Sequence, residues 1–263
     1  VVLVGSAAFG QTPEYQPQIG QDGKDVIWVP TSQPLLERML TMAQVGPGDV
    51  LFDLGSGDGR IVIAAAKRGA EAVGVEYNPD LVALSRRTAA RERLSSEHAR
   101  FIRGDIFETD FSSATVVALY LRSELNLRLR PALLDMPPGT RVVSHMFKMG
   151  DWEPDETSYL DARTAYLWIV PARVGGIWQL VLSGGRTLEV DLGQSFQEIS
   201  GLVHLGPIQA GLREARLRGA EIRLAFVDEE AVLHELTGTV NGDRMEGTFH
   251  AGARTGLWTA TRR

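Results

Sequence analysis

VLFDLGSGDGRI, residues 50–61, begins as an apolar run and turns at once into glycine: Asp53 breaks Val50–Leu54, and Gly55, Gly57 and Gly59 follow. Glycines at such a turn allow positive φ and let the backbone approach a ligand without a Cβ in the way. At the carboxyl end of the first strand of a doubly wound sheet, that turn is where the fold takes its ligand. Two nucleotide chemistries can be weighed against it. A dinucleotide loop is G-x-G-x-x-G, its last glycine allowing the helix to pack closely on the strand. Counted from Gly55, that position is Arg60, whose bulk opposes the packing. A P-loop needs Lys-Ser/Thr after its last glycine, and Arg60-Ile61 stands there instead. Asp53 and Asp58 would also repel phosphate. The pattern is acidic-x-G-x-G-x-G, and its ligand is not held by phosphate.

Outward from this loop, strands and helices alternate. Strand-like runs lie at Val50–Leu54, Ala72–Val75, Ala99–Ile102, Thr115–Leu121 and Arg141–Phe147, with Thr164–Ala172 expected to complete the edge. Helical stretches lie near Arg60–Arg68, Pro79–Leu94 and Ser123–Leu134, and an amphipathic helix is expected from Ser32 to Gln44. Asn78-Pro79 suits an N-cap and first helical residue, and Gly69 a helix stop. This alternation predicts an α/β, Rossmann-like parallel sheet with helices on both faces. Glu76 and Asp105 then fall just beyond the second and third strands, at the same sheet edge as the glycine loop.

After Ala172 the pattern changes to period-two alternation, as in Leu188, Val190, Leu192 and in Ile222, Leu224, Phe226, within a glycine-rich stretch whose one proline is Pro207. Asn241-Gly242 between apolar runs signals a hairpin. About eight short strands between Trp178 and Trp258 predict a small antiparallel barrel or sandwich. The expected organisation is a leader over residues 1–25, the cofactor-binding domain over 26–173 and an accessory β domain over 174–263.

Across 263 residues, 27 Lys+Arg stand against 33 Asp+Glu, a formal charge of −6, so no global field attracts nucleic acid. A local strip of Arg122, Arg128 and Arg130 is the exception to examine. The absence of cysteine excludes disulfides and thiolate chemistry, and the histidines lack metal-site spacing, so no metal is expected. VVLVGSAAFG, residues 1–10, reads as the tail of a secretory signal peptide, cleaved after Ala8 or Gly10, and suggests an exported, periplasmic protein. The alternatives are a cytoplasmic protein or one held by a membrane anchor. No run reaches the roughly 18 apolar residues of a membrane span.

The acidic glycine loop resembles that of class I S-adenosylmethionine-dependent methyltransferases. VPTSQPLLERML, DLGSGDGRIVIAAAKRG, GVEYNPDLVALSR and PPGTRVVSHMFKMGDWEPD further resemble bacterial relatives of the ATP synthase c-subunit lysine methyltransferase, over roughly residues 25–172. The β region looks like a lipocalin-like addition. The resemblance implies S-adenosylmethionine as cofactor, with its methionine part on the glycine loop. A carboxylate suits the cationic ammonium and sulfonium there. It implies ribose hydroxyls on Glu76, the adenine amino group on Asp105, and a VPT segment lying over the pocket. The implied cofactor set is Thr31, Asp53, Gly55, Ser56, Gly57, Asp58, Gly59, Glu76, Tyr77, Asp105 and Ile106.

For the acceptor, the resemblance implies a protein lysine. The chain departs from its relatives after the fourth strand, where YLRSE replaces Leu-Pro or Ala-Pro. Tyr120 and Glu124 are the catalytic candidates there, although Glu124 also suits a helix first turn for reasons of dipole alone. His145 ends the fifth strand near the cleft and reads most simply as a hydrogen-bonded structural histidine. Three classes of function stay open from the sequence: a protein-lysine methyltransferase, a small-molecule methyltransferase, and a binding protein on a retired enzyme fold.

Overall fold

The computed structural model describes residues 15–160 and 162–263. The signal-peptide reading of residues 1–10 lies outside them. Among the described residues, no helix is long and apolar enough to cross a membrane.

β1 (Val50–Leu54) is the central one of five parallel strands in a seven-stranded sheet of order β3-β2-β1-β4-β5-β7-β6. β2 (Glu71–Glu76), β3 (Ala99–Arg103), β4 (Val116–Leu119) and β5 (Arg141–His145) all run parallel to it. Helices cover both faces, which is why β1 is apolar on both sides. On one face α1 (Gln33–Met42), α2 (Arg60–Lys67) and α3 (Pro79–Arg91) bury Leu36, Leu40, Val62 and Val82 against Leu51, Val116 and Val143. On the other, α4 (Ser123–Leu134) buries Leu125, Leu129 and Leu133 with Phe52, Leu54, Leu119 and Trp168. Two helix punctuations work as the sequence suggests. The Asn78 side chain accepts from the backbone N–H groups of Asp80 and Leu81, and Gly69 follows the last turn of α2 with φ +90°.

The sheet edge differs from expectation. β7 (Arg163–Ile169) is antiparallel and internal, and the edge is β6 (Glu156–Leu160), paired antiparallel to β7 and so running with the rest. β6 reads ETSYL, with Ser158 its one buried side chain, so it carries no apolar alternation to betray it. Residues 146–155, joining β5 to β6, contain no helix.

From Gly176 to Arg262 nine antiparallel strands, β8 to β16, form a nearly closed barrel-like sheet of order β11-β10-β9-β8-β16-β15-β14-β13-β12. Nine rather than eight arise because β11 (Ile208–Gly211) and β12 (Arg213–Arg218) are short and largely exposed, without a clean alternation. The interior is filled by side chains, Trp178, Leu180, Phe226, Leu236, Phe249 and Trp258 among them. β14 (Leu233–Asn241) and β15 (Arg244–Ala251) carry directly opposed glycines, Gly238 and Gly247, which make a notch for the Trp258 indole from β16 (Arg254–Arg262). The Trp258 Nε1 donates to the carbonyls of Thr237 and Thr248, both at 3.1 Å. A Cβ on Gly247 would lie 1.9 Å from the Thr237 oxygen, and one on Gly238 would lie 2.6 Å from the Trp258 ring.

Gly247→Ala should therefore destabilise the barrel by about 1–3 kcal/mol, the usual cost of overpacking a filled core. Urea unfolding followed by tryptophan fluorescence measures it. A variant as stable as the wild type would show that the notch is not needed.

Candidate active site: a cofactor cleft at the carboxyl edge of the sheet

Each glycine of the loop has a different task. Gly55 (φ +86°), Gly57 (φ +55°) and Gly59 (φ +79°) all occupy left-handed backbone that a side chain would strain. The N–H groups of Gly55 and Ser56 both donate to the Val75 carbonyl, at 2.9 and 3.0 Å, which ties the turn beneath β2. A Cβ on Gly57 would lie 2.7 Å from the Trp28 indole nitrogen. Gly59 caps α2 from below, where a Cβ would meet Phe101 at 2.6 Å and Ser85 at 2.8 Å.

The loop borders a cleft that opens to solvent. Of the residues expected to hold cofactor, Thr31, Asp53, Gly55, Ser56, Gly57 and Asp58 line it, as do Glu76, Tyr77, Asp105 and Ile106. Gly59 is the exception. It faces the helix–sheet packing beneath the loop instead of the cleft, so its requirement is structural.

Three carboxylates converge here. Asp53 is almost wholly buried, and burial, reinforced by repulsion from Glu76 and Asp58, pushes its carboxyl up to about 8. Glu76 is spent partly on the protein: one oxygen accepts from the Gly57 N–H at 2.9 Å, the other from the Asn78 N–H at 2.8 Å. Asp58 is gripped by Arg60 through Nε at 2.9 Å and Nη2 at 2.5 Å. Among the described residues the buried Ser56 hydroxyl has no partner.

A strap, residues 22–31, closes the other side of the cleft. Arg60 Nη1 donates to the Thr31 carbonyl at 2.8 Å and so joins strap to loop. Lys24 Nζ pairs with Asp105 and lies 5.0 Å over the Tyr77 ring, and the hydrogen bond it donates, with that of the Phe107 N–H, holds the Asp105 carboxyl below the usual range. The sequence pointed to Thr31 but not to Lys24, Trp28 or Arg60. Lys24 and Trp28 sit on either side of the expected leader boundary in a stretch without periodicity, and Arg60 reads as an obstacle to packing, not as a tie.

At the carboxyl ends of β4 and β5 the wall is aromatic. The Tyr120 ring stacks on His145 with centroids 3.7 Å apart and lies 6.3 Å from Phe147. His145 Nδ1 shares a 3.0 Å hydrogen bond with the Thr31 hydroxyl, while its buried Nε2 has no partner among the described residues. Burial, with Arg163 adding repulsion, drives His145 down to about 4, so it is neutral at physiological pH. The Phe147 N–H donates to the His145 carbonyl at 2.9 Å across Met146, whose φ of +71° makes a strained γ-turn. Tyr120 lines the cleft. Glu124 does not: it opens α4 from the solvent side, mostly exposed, 3.5 Å from Arg122. Nor do the three arginines form a strip. Arg122 faces Glu124, Arg128 covers the Phe107 ring at 3.8 Å, and Arg130 donates to the Met149 carbonyl at 2.9 Å.

The raised Asp53 yields a testable pH dependence. A carboxyl whose folded pKa lies above its unfolded value binds its proton more tightly in the folded state. Its contribution is thus fully present at acid pH and is lost as pH rises towards 8. His145 acts oppositely, losing stability as pH falls from 6.5 towards 4. Above pH 6.5 the Asp53 effect stands alone of the two. Between pH 6.5 and 8, wild-type stability should fall relative to Asp53→Asn with a slope approaching about 1.4 kcal/mol per pH unit, the one-proton limit. Parallel urea-derived stability curves for the two proteins would refute this.

Residues 53–156 match the model of the ANTKMT methyltransferase domain. A protein-lysine N-methyltransferase of Saccharolobus islandicus is 38% identical over 152 residues, 55% of this chain and 94% of that one. The ATP synthase c-subunit lysine N-methyltransferase of Mus musculus is 34% identical over 177 residues, 66% of this chain and 68% of that one. Among solved structures, an RNA methyltransferase from Salinibacter ruber in complex with S-adenosyl-L-homocysteine is 49% identical, with a TM-score of 0.54 over 56% of this chain and 96% of that one. With its acidic glycine loop and strand order, the chain belongs to the family of S-adenosylmethionine-dependent methyltransferases that includes the ATP synthase c-subunit lysine N-methyltransferases.

Proposed function

We propose that this methyltransferase transfers its methyl group to the side-chain nitrogen of a protein lysine, accepted at the Tyr120 edge of the cleft. The cofactor fits what the cleft offers. Asp53, protonated or ionised according to its guest, and the unpartnered Ser56 hydroxyl stand at the loop, where a cationic amino-acid moiety would sit. Glu76 has lone pairs left for ribose hydroxyls, and Asp105 can accept from an adenine amino group once Lys24 yields it. When bound, S-adenosylmethionine supplies an electrophilic methyl group on a sulfonium.

The observation that carries the lysine assignment is the character of the acceptor edge. A lysine attacks only as the neutral amine, and at pH 7 removing its proton costs roughly 4–5 kcal/mol. An apolar wall lowers that cost, whereas a carboxylate alone would raise it. Tyr120, Leu121 and Leu125 line this end of the cleft, His145 behind Tyr120 is neutral, and Glu124 faces solvent. The names of the Saccharolobus and mouse relatives point the same way. The name of the Salinibacter relative points to RNA, but here Arg122, Arg128 and Arg130 are each engaged within the protein and the net charge is −6.

The test is transfer of tritiated methyl from the cofactor into a cell-envelope extract, followed by separation of protein, RNA and small molecules. Acid hydrolysis of the protein fraction should release labelled methyl-lysine. Label confined to RNA or to small molecules would sink the lysine assignment.

Glu76→Ala should weaken cofactor binding by about 1.5–3 kcal/mol, the range for hydrogen bonds to a charged group. Calorimetry with S-adenosyl-L-homocysteine reads this directly, and unchanged affinity would remove Glu76 from the ribose contact.

A further inference from the structure

The barrel touches the methyltransferase sheet at a chosen place. β9 (Thr187–Ser195) and β10 (Glu198–Leu205) are joined by Phe196 and Gln197, and this hairpin tip rests on the loop between β5 and β6. Phe196 has φ +54°, at a hairpin position that normally takes glycine. Strained backbone of this kind persists only where its surroundings enforce it. Here the enforcement is visible. The Phe196 ring stacks on Trp152 at 6.0 Å and faces the Arg130 guanidinium at 5.4 Å. The Gln194 amide donates to the carbonyls of Ala172 and Phe196, at 2.8 and 2.7 Å.

Gln197 makes the decisive contacts. Its side-chain oxygen accepts from the Trp152 indole N–H at 2.9 Å, and its amide donates to the Glu153 carbonyl at 2.7 Å. Trp152 is fully buried, and its own carbonyl accepts from the Trp168 indole at 2.8 Å. From Trp152 the chain runs back through its bridge with Met149 to Phe147. The Phe147 carbonyl accepts from the Ser144 hydroxyl at 2.8 Å and from the Asn126 amide at 3.2 Å. Phe147 in turn flanks Tyr120. A loop without a helix of its own is thus held at one end by β5 and α4, and at the other by two side chains of the barrel.

We infer that Gln197 is a positioning residue for methyl transfer, holding the 147–155 loop through Trp152 so that Phe147 and Tyr120 keep the shape of the acceptor edge. The inference rests on the reading of that edge as the acceptor site. It gives the barrel a role in catalysis without contact to the cofactor, since none of its residues line the cofactor cleft among the described residues.

Gln197→Met keeps the size of the side chain and removes both hydrogen bonds. Because Gln197 is only half-buried, the full-length variant should fold. Trp152→Phe removes the indole donor from the other side. Three readouts decide: amide hydrogen exchange over residues 147–155, calorimetric affinity for S-adenosyl-L-homocysteine, and kcat for total methyl incorporation into extract. Counting label in every acceptor class separates the two ideas, because a wrong lysine assignment moves the label elsewhere while the comparison between variants stands. In Gln197→Met, loop exchange should quicken and kcat should fall about tenfold, the scale of one to two net hydrogen bonds, with cofactor affinity unchanged. The double variant should be no slower than the slower single one. Wild-type kcat with a freed loop overturns the inference. So does a loss of cofactor affinity in step with kcat, and so does an unchanged rate of loop exchange.

Discussion

A buried carboxyl with no cation beside it is a costly thing to build, and among the described residues Asp53 is one. It sits at the end of the central strand, with Glu76 and Asp58 adding repulsion, and within the protein alone it is most easily accommodated with its proton on. The surrounding architecture follows from the need to put that group at a sheet edge. Three left-handed glycines turn the chain directly out of β1, the Val75 carbonyl anchors the turn, and Glu76 receives the Gly57 N–H. A guest that brings positive charge relieves the repulsion, whereas a phosphate would add to it. Selectivity for a cationic cofactor is therefore written into the electrostatics of the protein's own groups.

Around that centre the protein is tied together by a few long side chains. Arg60 spans loop and strap, Thr31 reaches from the strap to His145, and Gln197 reaches from the barrel to the loop after β5. Each tie joins parts distant in sequence, and each ends near the cleft or the aromatic edge beside it. Cofactor side and acceptor side are consequently linked by a short path, Arg60–Thr31–His145–Tyr120, in which every step is a hydrogen bond or a ring contact.

Much of this is legible in the sequence, because local patterns dictate it. Glycines at fixed offsets, Asn78-Pro79 before α3 and apolar runs buried on both faces all report conformations that the residues themselves prefer. β6 escapes because an edge strand with a single buried serine needs no apolar code. Gly59 reads as a cofactor residue because the motif does not say which glycine faces a ligand and which a phenylalanine. Glu124 stands near the right strand in sequence, yet the turn into α4 carries it to solvent. Lys24 and Trp28 are invisible for another reason. The strap has no secondary structure of its own, and its placement depends on partners such as Asp105, 81 positions away.

The seam of the barrel sets the order in which the molecule can form. β8, the first strand of the barrel, pairs with β16, the last, and Arg262 in β16 donates to the Arg173 carbonyl at 2.5 Å and also to the Gly175 carbonyl. The barrel is thus two meanders that cannot meet until nearly its whole length is present. Pairings so far apart in the chain are slow to find, because loop closure must precede their reward. The Rossmann-like sheet, built from strands close in sequence, can be complete well before. The β9–β10 hairpin with Gln197 belongs to the first meander and can reach the loop after β5 before the seam closes, whereas β8 keeps an open edge until β16 arrives. An edge left unpaired in this way invites wrong pairing, so the barrel carries its folding risk in the interval before its last strand is in place.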